Sequence, residues 1–153
     1  MPAAPPPSVA FRFAVRPGQG APSGFDLCDL AFTGPEGSTT SAGHTPDQGM
    51  MLVLAVPGLL DEVRFLLSRR HGTTTFRPAD SSFRLSFTLH RGLVTVTAPD
   101  RRPLGTTTTA VLTHALLTAA ESFTAGLLPT LPADDPAHHD LPLALATFRA
   151  LHP

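Results

Sequence analysis

From Ser82 to Ala98 apolar and polar residues alternate with a period of two. Phe83, Leu85, Phe87 and Leu89 are followed by Val94, Val96 and Ala98, with Arg84, Ser86, Thr88, His90, Thr95 and Thr97 between them. Successive side chains of a strand point to opposite faces, so this stretch has one face to bury and one to expose. If Arg91-Gly92 is the whole loop, Leu89 pairs with Val94, Phe87 with Val96 and Leu85 with Ala98, and all the apolar side chains share one face. A slip of one residue would set apolar against polar, so the pattern specifies its own register. Arg91 is a poor residue for the positive φ that such a loop asks of its first position. A three-residue loop, His90-Arg91-Gly92, suits the turn better and the pairing worse, and the pairing is expected to win.

The rest of the chain must cover that apolar face. At 153 residues it has the length of one domain, enough to bury roughly 70% of its unfolded surface. A hydrophobic content of 42% and a charged content of 15% belong to a globular chain. The net charge of −1 recommends neither nucleic acid nor an anionic membrane as partner. All the basic residues are Arg, and Lys, Asn, Ile, Tyr and Trp are absent, which is the bias of a GC-rich bacterial genome. Cys28 is the only cysteine, so neither an intrachain disulfide nor a cysteine zinc site is expected. The N-terminus lacks the basic start and apolar run of a secretory signal. The run Met50 to Val56 is far short of the ~20 residues that span a bilayer. A cytoplasmic location is the resulting expectation.

Residues 1–8 read as a disordered, Pro-rich lead-in, and residues 9–153 as one domain. Strands are expected over Val9–Val15 and Phe25–Thr33, and a long loop from Gly34 to Gly49, with an irregular edge strand over part of it as the alternative. Met50–Val56 suits a strand buried on both faces, and Pro57 then opens a helix to Arg70, with Gly72 as its stop. A short strand, Thr73–Arg77, precedes the hairpin, and Leu104–Thr106 adds a brief edge strand. A threonine among 106–109 caps a helix whose apolar face carries Leu112, Leu116, Ala119, Phe123 and Leu127. The last helix is either kinked at Pro142 or starts near Leu141 after a short turn. Tight hairpins and segregated helices imply an α+β fold: a single antiparallel sheet with amphipathic helices packed on one face.

The candidates for chemistry each have a plain structural reading. Cys28 lies between Asp26 and Asp29, whose charge disfavours the thiolate, and a small buried hydrophobe is the better account. No two histidines stand at helical or strand ligand spacing, and His138 and His139, as helix neighbours, point about 100° apart. The Gly34–Gly43 stretch is rich in Gly, Ser and Thr but has no phosphate-loop organisation. Ser41, His44 and Asp47 could form a trio, but all three sit on one loop. No cofactor and no metal are expected. Arg77, Asp80 and Arg84 gather at the hairpin entrance, continuous with the polar face of Ser86, Thr88, His90, Thr95 and Thr97. That face, with Arg77, Asp80, Arg84, Thr88, His90 and Thr95 as contact residues, is the expected partner-binding surface.

The Leu-rich helix, Gly72, Phe76, the run Asp80 to Phe87 and Gly92 to Val96 resemble the helix-then-hairpin core of immunity-like proteins of bacterial polymorphic-toxin systems, and of uncharacterised small proteins of GC-rich bacteria. The resemblance covers about residues 50–100, and it implies a non-enzymatic protein that binds one protein partner. The nearly balanced charge departs from the acidity of many nuclease inhibitors. The alternative is a small-molecule-binding or catalytic domain with a pocket between helices and sheet, using His90, Arg84 or Asp80.

Overall fold

Two antiparallel sheets, each with one apolar face, share one core with the helices in a computed structural model that describes residues 8–151. The expected lead-in over 1–8 lies, apart from Ser8, outside the described residues. The first sheet orders β1 (Ala10–Val15), β2 (Leu27–Gly34) and β3 (Gly37–Thr40), with the short β4 (Met50–Met51) also pairing β2. The second orders β5 (Gly72–Phe76), β6 (Leu85–His90), β7 (Leu93–Thr97) and β8 (Pro103–Thr108).

The expected single sheet is therefore corrected to two, and within Gly34–Gly49 the edge-strand alternative holds over Gly37–Thr40, where β3 replaces part of the expected loop. Pro35 and Glu36 form a two-residue turn between Gly34 and Gly37, and β3 then pairs with β2. An edge strand needs backbone partners more than apolar side chains, which is why Gly37–Thr40 shows no hydrophobic signature. With two sheets present, the hairpin's apolar face is covered by a second sheet as well as by helices.

The hairpin itself forms as its pattern requires. β6 pairs β7 with Leu89 opposite Val94 and Phe87 opposite Val96, and His90 opposite Leu93 leaves Arg91-Gly92 as the loop. Arg91 has φ 50° and Gly92 φ 76°. Burial of the alternate row thus outweighs the reluctance of Arg91 to enter the left-handed region.

Three helices complete the fold: α1 (Leu52–Leu67), α2 (Thr109–Leu127), which runs into a 3-10 turn at Leu128–Thr130, and α3 (Ala137–Arg149). Only Met50–Met51 of the expected Met50–Val56 strand is extended, and the helix begins at Leu52 with Pro57 inside it. A short apolar run reads alike as buried strand or buried helix, and Leu52, Val53, Ala55 and Val56 are all buried in the helix's opening turns. No side chain caps α1. Its first amides, of Leu52 and Val53, donate to the carbonyls of Asp26 and Gly24 at 3.1 Å each. The α2 cap is as expected: Thr108 accepts the Val111 amide at 3.2 Å. α3 is continuous through Pro142. Asp135 fixes its start, taking the Ala137 amide on Oδ1 and the Gly24 amide on Oδ2, both at 2.9 Å.

The sheets meet along a seam. The register of β7 on β8 shifts between Val96 and Thr97, pairing them with Gly105 and Pro103 and leaving Leu104 as the extra residue. Its carbonyl accepts the Glu36 amide at 2.9 Å. Backbones approach so closely here that a Cβ on Gly34 would lie 2.3 Å from the Leu104 oxygen, and one on Gly105 2.4 Å from Pro35 Cδ.

Candidate protein-contact surface

The outward face of β5–β8 repeats one short pattern. Each strand carries two hydroxyls two residues apart: Thr73 and Thr75, Ser86 and Thr88, Thr95 and Thr97, Thr106 and Thr108. The registers align Thr73, Thr88, Thr95 and Thr106 as one row across the sheet, and Thr75, Ser86 and Thr97 as the next. Thr73 and Thr88 hydroxyls lie 3.1 Å apart, Thr75 and Ser86 2.9 Å, and Thr95 and Thr106 2.8 Å. Such cross-strand pairs stabilise the sheet and fix the rotamers of the outer face.

Thr88, Thr95 and His90 of the expected site share this face, Thr88 and His90 exposed and Thr95 half-buried. The others do different work. Asp80 accepts the Met51 amide at 2.8 Å and so braces the entry to α1. Arg84 turns back on its own loop, its Nη1 donating to the carbonyls of Phe83 at 2.7 Å and Ser81 at 3.0 Å. Arg77 is exposed just past β5. His90 ends the six-residue β6 that Arg84 precedes, so the two lie about 20 Å apart along the strand. Asp80, Arg84 and His90 therefore do not converge on one pocket.

Residues that the sequence reading passed over extend the face at the other end. One step beyond the last β5–β6 pair, Gly72 with Leu89, lie His71 and His90, and the loop beside them carries Arg91. Arg69 and Arg70 line a depression of about 220 Å³ with Leu89 and Gly92. Arg69 stacks 4.2 Å over the Phe65 ring. Arg70 and Arg91 are exposed and make no ion pair among the described residues. No Asp or Glu occurs in residues 63–79 or 81–99, and the acidic side chain bonded to β5 is Glu62 of α1, which accepts the Thr74 hydroxyl.

The remaining candidates resolve into structure. Ser41 is buried, taking the Leu30 amide at 3.0 Å and donating to Asp29 at 2.7 Å. Arg16 bridges Asp29 (2.9 Å) and Asp47 (2.6 Å), while His44 bonds the Thr40 carbonyl. Ser41, His44 and Asp47 are thus not a trio but parts of a clamp holding the 41–49 loop to β1 and β2. The Arg16 guanidinium pulls both carboxyls below the usual range, Asp47 to about 2. Cys28 is fully buried, and desolvation, then the charge of Asp29 and Asp80, pushes its thiol up to about 12. His138 faces the Leu131 carbonyl and His139 bonds Asp140. Among the described residues no three His, Cys, Asp or Glu side chains gather as a metal site would need.

No protein-family model matches this chain, and comparison with curated proteins and with solved structures finds no match.

Proposed function

We propose that this chain is a non-enzymatic module that binds one protein partner, as its resemblance to immunity-like proteins implies, and that the partner presents an acidic surface to the outer face of β5–β8. The observation that carries this reading is the set of paired hydroxyl rows on the outward sheet face, with His71, His90 and Arg91 at the end of the sheet where β5 begins and the β6–β7 loop turns. Short hydroxyl side chains held by one another lose little entropy when a partner lands on them. Arg70 and Arg91 supply planar forks suited to carboxylates, and they steer an acidic partner toward the face.

The test is capture of partners from a native lysate by the tagged chain and by an Arg70→Glu/Arg91→Glu variant, with the affinity of any captured protein then measured at low and high salt. The expected result is a partner whose affinity falls tenfold or more in the variant, and falls with salt in the wild type. A captured partner that binds both proteins equally, with no salt dependence, would overturn the reading.

A further inference from the structure

The other sheet has an open edge. The Arg16 amide donates to the Leu27 carbonyl at 3.0 Å, so residues 16 and 27 are a hydrogen-bonded pair. Alternation then turns the backbone groups of Arg12 and Ala14 toward β2 and those of Phe11, Phe13 and Val15 away from it. Among the described residues no strand lies on that side of β1. Instead α2 runs alongside, and two clefts follow the length of the edge. One, of about 690 Å³, lies between Ser8–Phe11 and the first half of α2. The other, of about 500 Å³, lies between Phe13–Arg16 and its second half, with the loop of Gly18 to Pro22 and Asp26 closing one end. They meet at Ser122, near the point where the Phe13 and Phe123 rings stand 5.6 Å apart.

The helical wall is also unusual for a solvated surface. Residues Thr109–Thr130 are long and apolar enough, by length and composition, to cross a bilayer, with mean hydropathy 1.3, yet only 33% of that window is buried. The ionisable residues of α2 are His114 and Glu121, and Glu121 is paired with Arg149 at 2.9 Å. The flank beside β1 is built from small residues, Ala115, Thr118, Ala119 and Ser122 among them.

We infer that this edge and flank are a two-fold interface with a second copy of the chain, β1 pairing antiparallel with its equivalent and α2 packing on its equivalent. A two-fold axis makes like strands antiparallel without further adjustment. Centred on Phe13, it sets Phe13 opposite Phe13 and Phe11 opposite Val15, so every outward backbone group meets a complementary one. Arg12, exposed and without an ion pair among the described residues, then faces Ala14 of the second copy. The register centred on Arg12 would place two arginines directly opposite and is disfavoured. A lone added strand would pair with the edge and leave the flank of α2 in water, whereas a second copy covers both. A 19-residue helix is about 28 Å long, and strand edge plus helix flank make a strip roughly 20 Å wide. That strip is on the order of 600 Å² per copy, the size at which stable interfaces begin.

Two variants of the whole chain test this. Val15→Pro removes one outward N–H without touching a β1–β2 hydrogen bond, and proline is tolerated at such an edge. Ser122→Glu places like charges across the axis. Sedimentation equilibrium of the wild type is expected to give twice 16.1 kDa, with the amides of Phe11, Phe13 and Val15 protected from hydrogen exchange. Both variants are expected to be monomeric with unchanged circular dichroism. A wild type that is monomeric up to about 100 μM would overturn the inference, since that concentration corresponds to only about −5.5 kcal/mol of association. So would a dimer that survives both substitutions.

Discussion

The ring of Phe11 in β1 stacks on that of Phe87 in β6, with centroids 6.4 Å apart and 29° between the planes. This contact joins the apolar faces of the two sheets at the centre of the core, and the Phe32 ring meets Phe11 edge-on at 5.0 Å. Phe87 has no exposed surface.

Phe87→Ala should therefore cost about 3–5 kcal/mol, the loss expected for a buried aromatic that leaves a cavity. A urea denaturation midpoint that scarcely moves would place Phe87 outside the core.

The seam makes two glycine substitutions diverge. Gly105 has φ 147° and its Cβ would strike Pro35, so Gly105→Ala should destabilise by at least about 1–3 kcal/mol. Gly126, in α2 with nothing within 4 Å, should gain about 0.5–1 kcal/mol as alanine from helix propensity. Thermal melts of the two variants should move in opposite directions.

The Arg16 clamp has a pH signature. Both carboxyls titrate lower in the folded chain than the ~3.9 of an unfolded aspartate, so their contribution is complete above about pH 4. It is lost as the pH falls toward about 2, the folded value for Asp47. Urea midpoints measured from pH 5 to pH 2 should fall for the wild type, and fall less steeply for Arg16→Gln. Parallel pH profiles would show that the clamp carries no stability.

Cys28 should react with a neutral-pH thiol reagent only as fast as the protein opens. Its thiol is buried and its pKa stands near 12, so the attacking thiolate is scarce as well as shielded. Complete labelling of native protein within seconds would contradict that burial.

What could be read from the sequence follows from which interactions leave a side-chain trace. The hairpin register was legible because Phe87 and Leu89 must share a face with Val96 and Val94. The cap of α2 was legible from its threonines. β3 showed only as the edge-strand alternative to a loop, because Gly37–Thr40 is held mainly by backbone pairing and has no apolar row to mark it. The start of α1 was not legible, because there the carbonyls of Gly24 and Asp26 replace a capping side chain. In the candidate surface, Thr88, Thr95 and His90 were visible as the hairpin's polar row. Thr73 and Thr106 carry the same hydroxyl-x-hydroxyl spacing and could have been recognised by it. The far end left no pattern in the sequence because His71 and His90 become neighbours only through the register of β5 on β6.

The link between Asp135 and Gly24 spans 111 residues and gives the fold a direction in time. The loop that supplies the first acceptors of α1 is synthesised 111 residues before the carboxylate that steadies it. At ~5–20 residues per second the interval is on the order of ten seconds. Throughout it the nascent chain must carry β1, β2 and α1 without the brace that joins them to α3. A ribosome that stalls before Asp135 would thus hold a chain whose α1 lacks both this brace and the buried Leu141, Leu145 and Phe148 of α3, a substrate for chaperones rather than a folded domain.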